Sequence, residues 1–297
     1  MDSRRLRYLL ELARLGSMRA VADALGTTTS TVSQQIAVLG RETGAVLVEP
    51  EGRRVRLTPA GRRLAAHAVT ILAAIEAAQA DLDPGADPAG TVRVSGFATA
   101  IRRSLLPVAA SLGESHPNVR LIMYEHEPAE ALALLAGNDV DLALTYDYNL
   151  APAVFDTGLA VTPLWSTPWG LAVPAGPRAP RDGDTPAVFR AFRRYDWIGN
   201  SRNPADERVV RTLSSMAGFE PRLTHEADSL DLVEELILAG FGVGLLPADR
   251  PARPGIRLLH LSGPEVRLRA YAVTRHGRST WPPVTLLLHL LTGRLLE

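Results

Sequence analysis

The stretch Gly16–Gly61, GSMRAVADALGTTTSTVSQQIAVLGRETGAVLVEPEGRRVRLTPAG, decides the fold of the N-terminal part of this chain. Ser17 is placed to cap a helix from Met18 to Leu25 that buries Val21, Ala22 and Leu25. Gly26 supplies the left-handed residue that ends it and turns the chain sharply. Thr28 or Thr29 then caps a third helix through Leu39, buried along Val32, Ile36 and Leu39. Upstream, Leu6, Leu9, Leu10 and Ala13 recur at helical spacing and predict a first helix from about Ser3 to Leu15. Two short helices joined by a glycine turn make a helix-turn-helix over about 18–37. Ala22 is small where the helices cross, and Val32 fills the angle between them.

Downstream of Gly44, Ala45–Glu49 reads as a strand, Pro50-Glu51-Gly52 as a turn, and Arg54–Leu57 as a second strand. This hairpin is the wing of a winged helix-turn-helix. The exposed face of the third helix carries Thr28, Thr29, Ser30, Thr31, Ser33, Gln34 and Gln35 as candidate DNA-contacting residues. Such polar uncharged groups suit base edges, since Gln bonds adenine bidentately and Ser or Thr bond several bases. Arg53, Arg54 and Arg56 on the wing suit phosphate oxygens, which position a protein without reading sequence. Arg54→Ala is therefore expected to weaken binding to all DNA sequences equally and to lower the salt slope by about 1. Gln34→Ala is expected to change preference at particular bases.

Charge supports the division. The chain has 297 residues, with 32 basic side chains against 32 acidic ones, and every basic one is Arg. Residues 1–66 hold 11 Arg and 6 acids, an excess of +5, and the remainder carries the compensating −5. A basic module joined to an acidic remainder points to a polyanion-binding unit on a different kind of domain. The absence of Cys excludes disulfides, thiolate zinc sites and a Cys nucleophile. No run approaches ~18 apolar residues, so no membrane-spanning helix is expected. Glu11 and Arg14 interrupt the apolar N-terminus, so no secretory leader is expected either, and the cytoplasm is the expected location.

The Gly16–Gly61 stretch resembles the N-terminal domain of LysR-type transcriptional regulators. The similarity lies in Gly16-Ser17, Ala22 with Leu25, Val32-Ser33, Ile36, Leu39, Gly44, Leu47, Gly52-Arg53-Arg54 and Leu57-Thr58-Pro59-Ala60-Gly61. Ser30 stands where the family often has Pro, Gln34 and Pro50 where Arg is common, and Val48 where Phe is common. These departures bear on base preference and affinity rather than on the fold.

Thr58 can cap a further helix and Pro59 suits its first position. Leu64, Ala68, Ile71, Ile75, Ala78 and Leu82 step by four and three, a heptad seam fit either for a second copy of the chain or for the chain's own core. The resemblance favours a homodimer through this helix. A linker rich in Pro and Gly, Pro84–Gly90, follows.

The rest alternates strands and helices and predicts α/β layers with mainly parallel pairing. Val92–Thr99, DVDLALTYD (Asp139–Asp147), GFEPRLTHEADSLDLVEELILAGFGVGLLP (Gly218–Pro247) and a return strand near Leu268–Val273 resemble the effector-binding half of the same family. The domains are then 1–58 (winged helix-turn-helix), 59–90 (linker helix and hinge) and 91–297 (two-lobed, periplasmic-binding-protein-like). Lobe I is 91–161 with 268–297, and lobe II is 162–267. A small effector is implied between the lobes. Strand C-termini and helix N-termini there offer N–H groups to a carboxylate or other anion. Candidate effector-binding residues are Phe97, Ala98, Thr99 and Ala100, then Thr145 and Tyr146 on lobe I. On lobe II they are Asn200, Ser201 and Arg202, with Asp228 and Ser229 nearby. Arg202 is the candidate charge partner of an anionic effector.

The reading is a DNA-binding transcriptional regulator controlled by a small molecule, with double-stranded DNA as partner and a dimer of dimers implied. RNA polymerase is a further candidate partner, and no cofactor or metal is expected. A transport solute-binding protein would share the C-terminal half but not the winged domain. An enzyme finds little support. There is no Gly-x-Ser-x-Gly elbow and no phosphate-binding loop, and Glu125-His126-Glu127 would alternate faces at a strand end rather than converge on a metal.

Overall fold

The structure, a computed structural model, describes residues 1–52, 54–82, 87–176, 183–199 and 203–293. Helix α1 (Ser3–Leu15) begins where the Asp2 carboxylate accepts the Arg4 N–H at 2.7 Å, and it ends at Gly16, left-handed at φ 64°. Helix α2 (Met18–Ala24) is capped by Ser17, and α3 (Thr29–Thr43) by Thr28, whose hydroxyl accepts the Thr31 N–H at 3.1 Å. Gly26 makes the turn between them at φ 62°, a conformation that costs glycine no Cβ clash. Tyr8, Leu12, Val21, Ala22, Val32 and Ile36 form one core of this domain.

Helix α3 runs past Leu39 to Thr43, and the wing begins three residues later than Ala45. Strand β1 is Val48–Glu51 rather than Ala45–Glu49, and β2 is Arg54–Leu57. Pro50 and Glu51 lie in the strand, paired with Val55 and Arg54, rather than in the turn. A two-stranded ladder has free outer edges, so proline's missing N–H is tolerated there. Leu47 is consumed by the core instead of the strand, and its carbonyl accepts the Thr58 N–H at 3.0 Å.

Helix α4 (Pro59–Leu82) starts at Thr58, whose hydroxyl donates to the Val46 carbonyl and accepts the Gly61 N–H at 3.0 Å. The heptad seam is split. Ala68 is fully buried within this chain, and Leu64 and Ile71 pack beside it against Leu6, Leu9, Leu39 and Leu47. Ala68 is thus occupied in its own chain, which corrects its assignment to a partner-facing seam. Ile75, Ala78 and Leu82 stay exposed, Leu82 at 87%. A further face of α4 rests on the C-terminal domain: Ala73 joins that domain's core, and the Thr70 hydroxyl donates to the His276 carbonyl at 3.0 Å.

The C-terminal domain opens with β3 (Gly90–Gly96). Next come the short helix α5 (Ala98–Ala100), a π-helical turn at Ile101–Leu105, and α6 (Leu106–Ser115). Strand β4 (Val119–Glu125), α7 (Pro128–Gly137), β5 (Leu142–Tyr148) and the long β6 (Leu159–Pro174) follow. Then come β7 (Gly183–Asp184), α8 (Thr185–Ala191), β8 (Asp196–Gly199), α9 (Pro204–Met216) and β9 (Arg222–Glu226). The chain closes with α10 (Leu230–Leu238), β10 (Val243–Pro247), β11 (Ile256–Leu259), β12 (Leu261–Ser262), β13 (Val266–Arg275) and α11 (Pro282–Gly293).

Among the described residues these strands form a sheet ordered β4-β3-β5-β13-β6-β10-β8-β9, with β11 also on β6. Pairing is mixed rather than mainly parallel. Strand β3 is parallel to β4 and β5, and β8 to β9 and β10, making one parallel block per lobe. The long strands β6 and β13 join the blocks and pair antiparallel with their neighbours. The chain leaves lobe I on β6 and returns on β13, so the two must run in opposite directions. The lobes therefore meet within these two strands, which contain residues 161 and 268.

Candidate functional site

On α3, Thr29, Ser30, Ser33 and Gln34 are exposed on the face away from Val32 and Ile36. This follows from helical periodicity: the buried residues take one stripe and the polar ones the other. Thr28 and Thr31 are committed to the cap, their hydroxyls 2.9 Å apart. Gln35 is held inward, its side-chain oxygen accepting from Arg5 Nε at 3.1 Å. That removes Gln35 from the group free to read bases. On the wing, Arg56 is 58% exposed and pairs with Glu49 at 2.8 Å, so it must exchange this partner for a phosphate. Arg54 stands opposite Glu51 in the wing ladder, and Arg53 lies outside the described residues.

The second candidate site is a cavity of about 460 Å³ between the lobes. Its position follows from topology, because the C-terminal ends of the parallel strands in both lobes open onto it. Phe97, Ala98 and Thr99 after β3, Tyr146 on β5, and Asp228 and Ser229 before α10 line it, as the sequence predicts. Ala100 does not; it is fully buried in the core. Thr145 does not either, since strand alternation turns it to the face opposite Tyr146. Asn200, Ser201 and Arg202 lie outside the described residues. Ser229 caps α10, accepting the Leu232 N–H at 3.5 Å.

The site's chemistry lies largely in residues that sequence reasoning passes over. Trp165 and Trp169 stand on β6 and, with Phe97 and Tyr146, make an aromatic wall; the Phe97 and Tyr146 rings meet edge-on at 4.6 Å. Asp206, in the first turn of α9, reaches across the cleft. Tyr146 and Tyr148 each donate to its carboxylate at 2.7 Å. Glu127 lies 3.2 Å from the same Tyr146 hydroxyl and caps α7. Burial pushes the Asp206 carboxyl up to about 6, with the Asp228 charge adding and the tyrosine hydrogen bonds opposing. Burial, reinforced by the Asp206 charge, pushes both tyrosine hydroxyls well above their ordinary value. Arg103 on the π-helical turn pairs with Asp249 of lobe II and lies 4.6 Å over the Trp165 ring. The described wall thus carries Glu125, Glu127, Asp206, Asp228, Asp231 and Asp249 against Arg102, Arg103 and Arg250.

The trio Glu125-His126-Glu127 is divided, as alternation requires. His126 Nδ1 meets the Ser95 hydroxyl at 3.0 Å, while Glu127 caps α7. No helix among the described residues is long and apolar enough to cross a membrane.

Residues 3–62 match the family profile of the bacterial regulatory helix-turn-helix protein, lysR family, and residues 85–295 match the LysR substrate binding domain. The transcriptional dual regulator GltC of Bacillus subtilis is 29% identical over 249 residues, covering 83% of this chain and 81% of GltC. A full-length OxyR point variant from Pseudomonas aeruginosa superposes with a TM-score of 0.73 at 19% identity, over 98% of this chain and 94% of that one. Full-length CbnR complexed with its target DNA superposes at 0.54 with 22% identity, over 99% of both chains. These relatives are transcriptional regulators, not enzymes. The winged helix-turn-helix, the linker helix and the two-lobed domain over an internal cleft identify this chain as a member of the LysR family of DNA-binding transcriptional regulators, with an effector-binding domain.

Proposed function

We propose that this regulator acts in the cytoplasm as a homodimer paired through the outer end of α4, and assembles further into a dimer of dimers. The uncovered apolar surface at Ile75 and Leu82 carries this reading. Leu82 lies beyond Glu76, where Arg7 of α1 pairs with α4 at 3.0 Å, and Ile75 stays exposed beside that pair, so a second copy can reach both. Pairing there presents two α3 helices and two wings to half-sites about 10 base pairs apart, or a multiple of that. Thr29, Ser30, Ser33 and Gln34 read bases, while Arg53, Arg54 and Arg56 hold phosphates. An effector in the cleft changes the lobe angle and re-aims the DNA-binding domains, by binding one arrangement more tightly than the other. RNA polymerase is the candidate recipient of that change.

Ile75→Asp tests the dimer, because it places a charge in the paired surface without touching the core. Sedimentation should give a dimer or larger species for the parent chain and a monomer for the variant. Operator affinity should fall about 100-fold, since two linked half-sites become one. An unchanged mass in the variant would remove the pairing surface from α4.

A further inference from the structure

Helix N-termini facing a cleft normally favour an anionic ligand. Here the protein's own carboxylates already hold three of those positions, and only the short α5 at Ala98–Ala100 starts without one. Asp206 stands in the first turn of α9, Asp231 in the first turn of α10, and Glu127 caps α7. Of the guanidinium groups in the wall, Arg103 is paired with Asp249 and Arg250 with the buried Glu234 at 3.0 Å, while Arg102 is exposed on the opposite lobe from Asp206. Asp206 has two neutral tyrosine donors, and among the described residues no basic group lies within ion-pair distance of it. A half-buried carboxylate facing an open cavity without a cation is costly, and a cationic ligand would relieve that cost. The aromatic wall suits such a ligand independently, because ring faces attract cations. Arg103 over Trp165 already makes such a contact. Trp169 adds a buried indole N–H with no hydrogen-bond partner among the described residues, which asks for an acceptor on the ligand.

We propose that the cleft takes an organic amine: a cationic nitrogen held by Asp206, in the field of the Asp228 charge, and an apolar body against Phe97, Trp165 and Trp169. This rests on the cleft being the effector site. It replaces the anionic effector that the strand and helix ends alone suggest.

The binding is coupled to protons. Among the described residues the groups facing Asp206 are Tyr146 and Tyr148 from β5 and Asp228 from the loop before α10, with Glu127 at the start of α7 behind the Tyr146 hydroxyl. Both tyrosines stay protonated, because burial raises them. The carboxyl itself takes a proton near pH 6. Amine affinity should therefore be full above pH 6 and weaken as pH falls, by about tenfold per unit well below the carboxyl's value.

The test is calorimetric titration of the full chain with four probes: tyramine, cadaverine, the anion 3-(4-hydroxyphenyl)propionate, and neutral tyrosol. At least one amine should bind and the anion should not. Asp206→Asn should weaken the amine about tenfold or more while leaving the tyrosol response unchanged. Asp228→Asn, a second isosteric change, should weaken it in the same direction, and thermal unfolding would confirm that both variants remain folded. If the anion binds, and Trp165→Ala abolishes that binding, the cleft stands as the effector site and the amine assignment is overturned. If no probe of any charge binds at millimolar concentration, both readings fail.

Discussion

Val32→Asp is expected to abolish DNA binding while leaving the C-terminal domain folded. Val32 is fully buried, and it packs with Tyr8, Leu12, Val21, Ala22 and Ile36. Substitution removes about 2 kcal/mol of apolar burial and adds a carboxylate with no buried partner, which costs several more. The sum, about 5 kcal/mol, is comparable to the whole stability of a small domain. The C-terminal domain keeps a separate core built around β3, β5, β6 and β13. The four tryptophans all lie between Trp165 and Trp281. Tryptophan fluorescence therefore reports only the C-terminal domain, whereas circular dichroism reports both. The fluorescence melt should be nearly unchanged, and the dichroism should lose helix at low temperature. Operator binding retained at parental strength would show that α3 is not held by this core.

The second large effect is expected at Arg269. Asp147 on β5 is 2% exposed, and Arg269 on β13 holds it with two hydrogen bonds, at 2.8 and 2.9 Å. Tyr271 donates at 3.1 Å and the Ala153 N–H at 2.9 Å. Arg269→Met keeps the aliphatic packing but strands the buried carboxylate, for about 3 kcal/mol. In a domain of this size that lowers the melting temperature by about 8 °C. Adding Asp147→Asn should restore part of the loss, because the unpaired charge goes with it. A double variant no more stable than the single one would assign the effect to packing rather than charge.

How much of the molecule is legible in the sequence depends on how local each signal is. Helix α1 falls at Ser3–Leu15 as its spacing predicts, because Asp2 and Gly16 mark its ends within the same dozen or so residues. The wing begins later than its sequence suggests, at Val48 rather than Ala45, because after the Gly44 cap the Ala45 N–H bonds back to the Gly40 carbonyl and Leu47 is buried in the core. The heptad seam reads as one surface, since a 3.5-residue repeat looks the same whether it faces another chain or its own. Only burial separates Ala68 from Ile75. Phe97, Thr99 and Tyr146 are reachable from sequence because they lie at or just after strand ends. Asp206, Trp165 and Trp169 are not, because their meeting depends on the paired strands β6 and β13 that carry the chain between lobes. Strand alternation reveals a face; it does not reveal a partner's direction. The opposing charges of the two parts have a counterpart in the structure: the exposed polar face of α3 belongs to the basic part, and the carboxylate-rich cleft to the acidic one.

The proposed division, in which α3 reads DNA sequence and the wing arginines hold the backbone, predicts different effects of variants on the two elements. Selection of random duplex DNA by the full chain, run in parallel with Gln34→Ala, tests it most directly. The expected result is an enriched motif with two-fold symmetry, and a change at defined base positions of each half-site in the variant. No enrichment by the parent chain, or the same motif from both proteins, would contradict it.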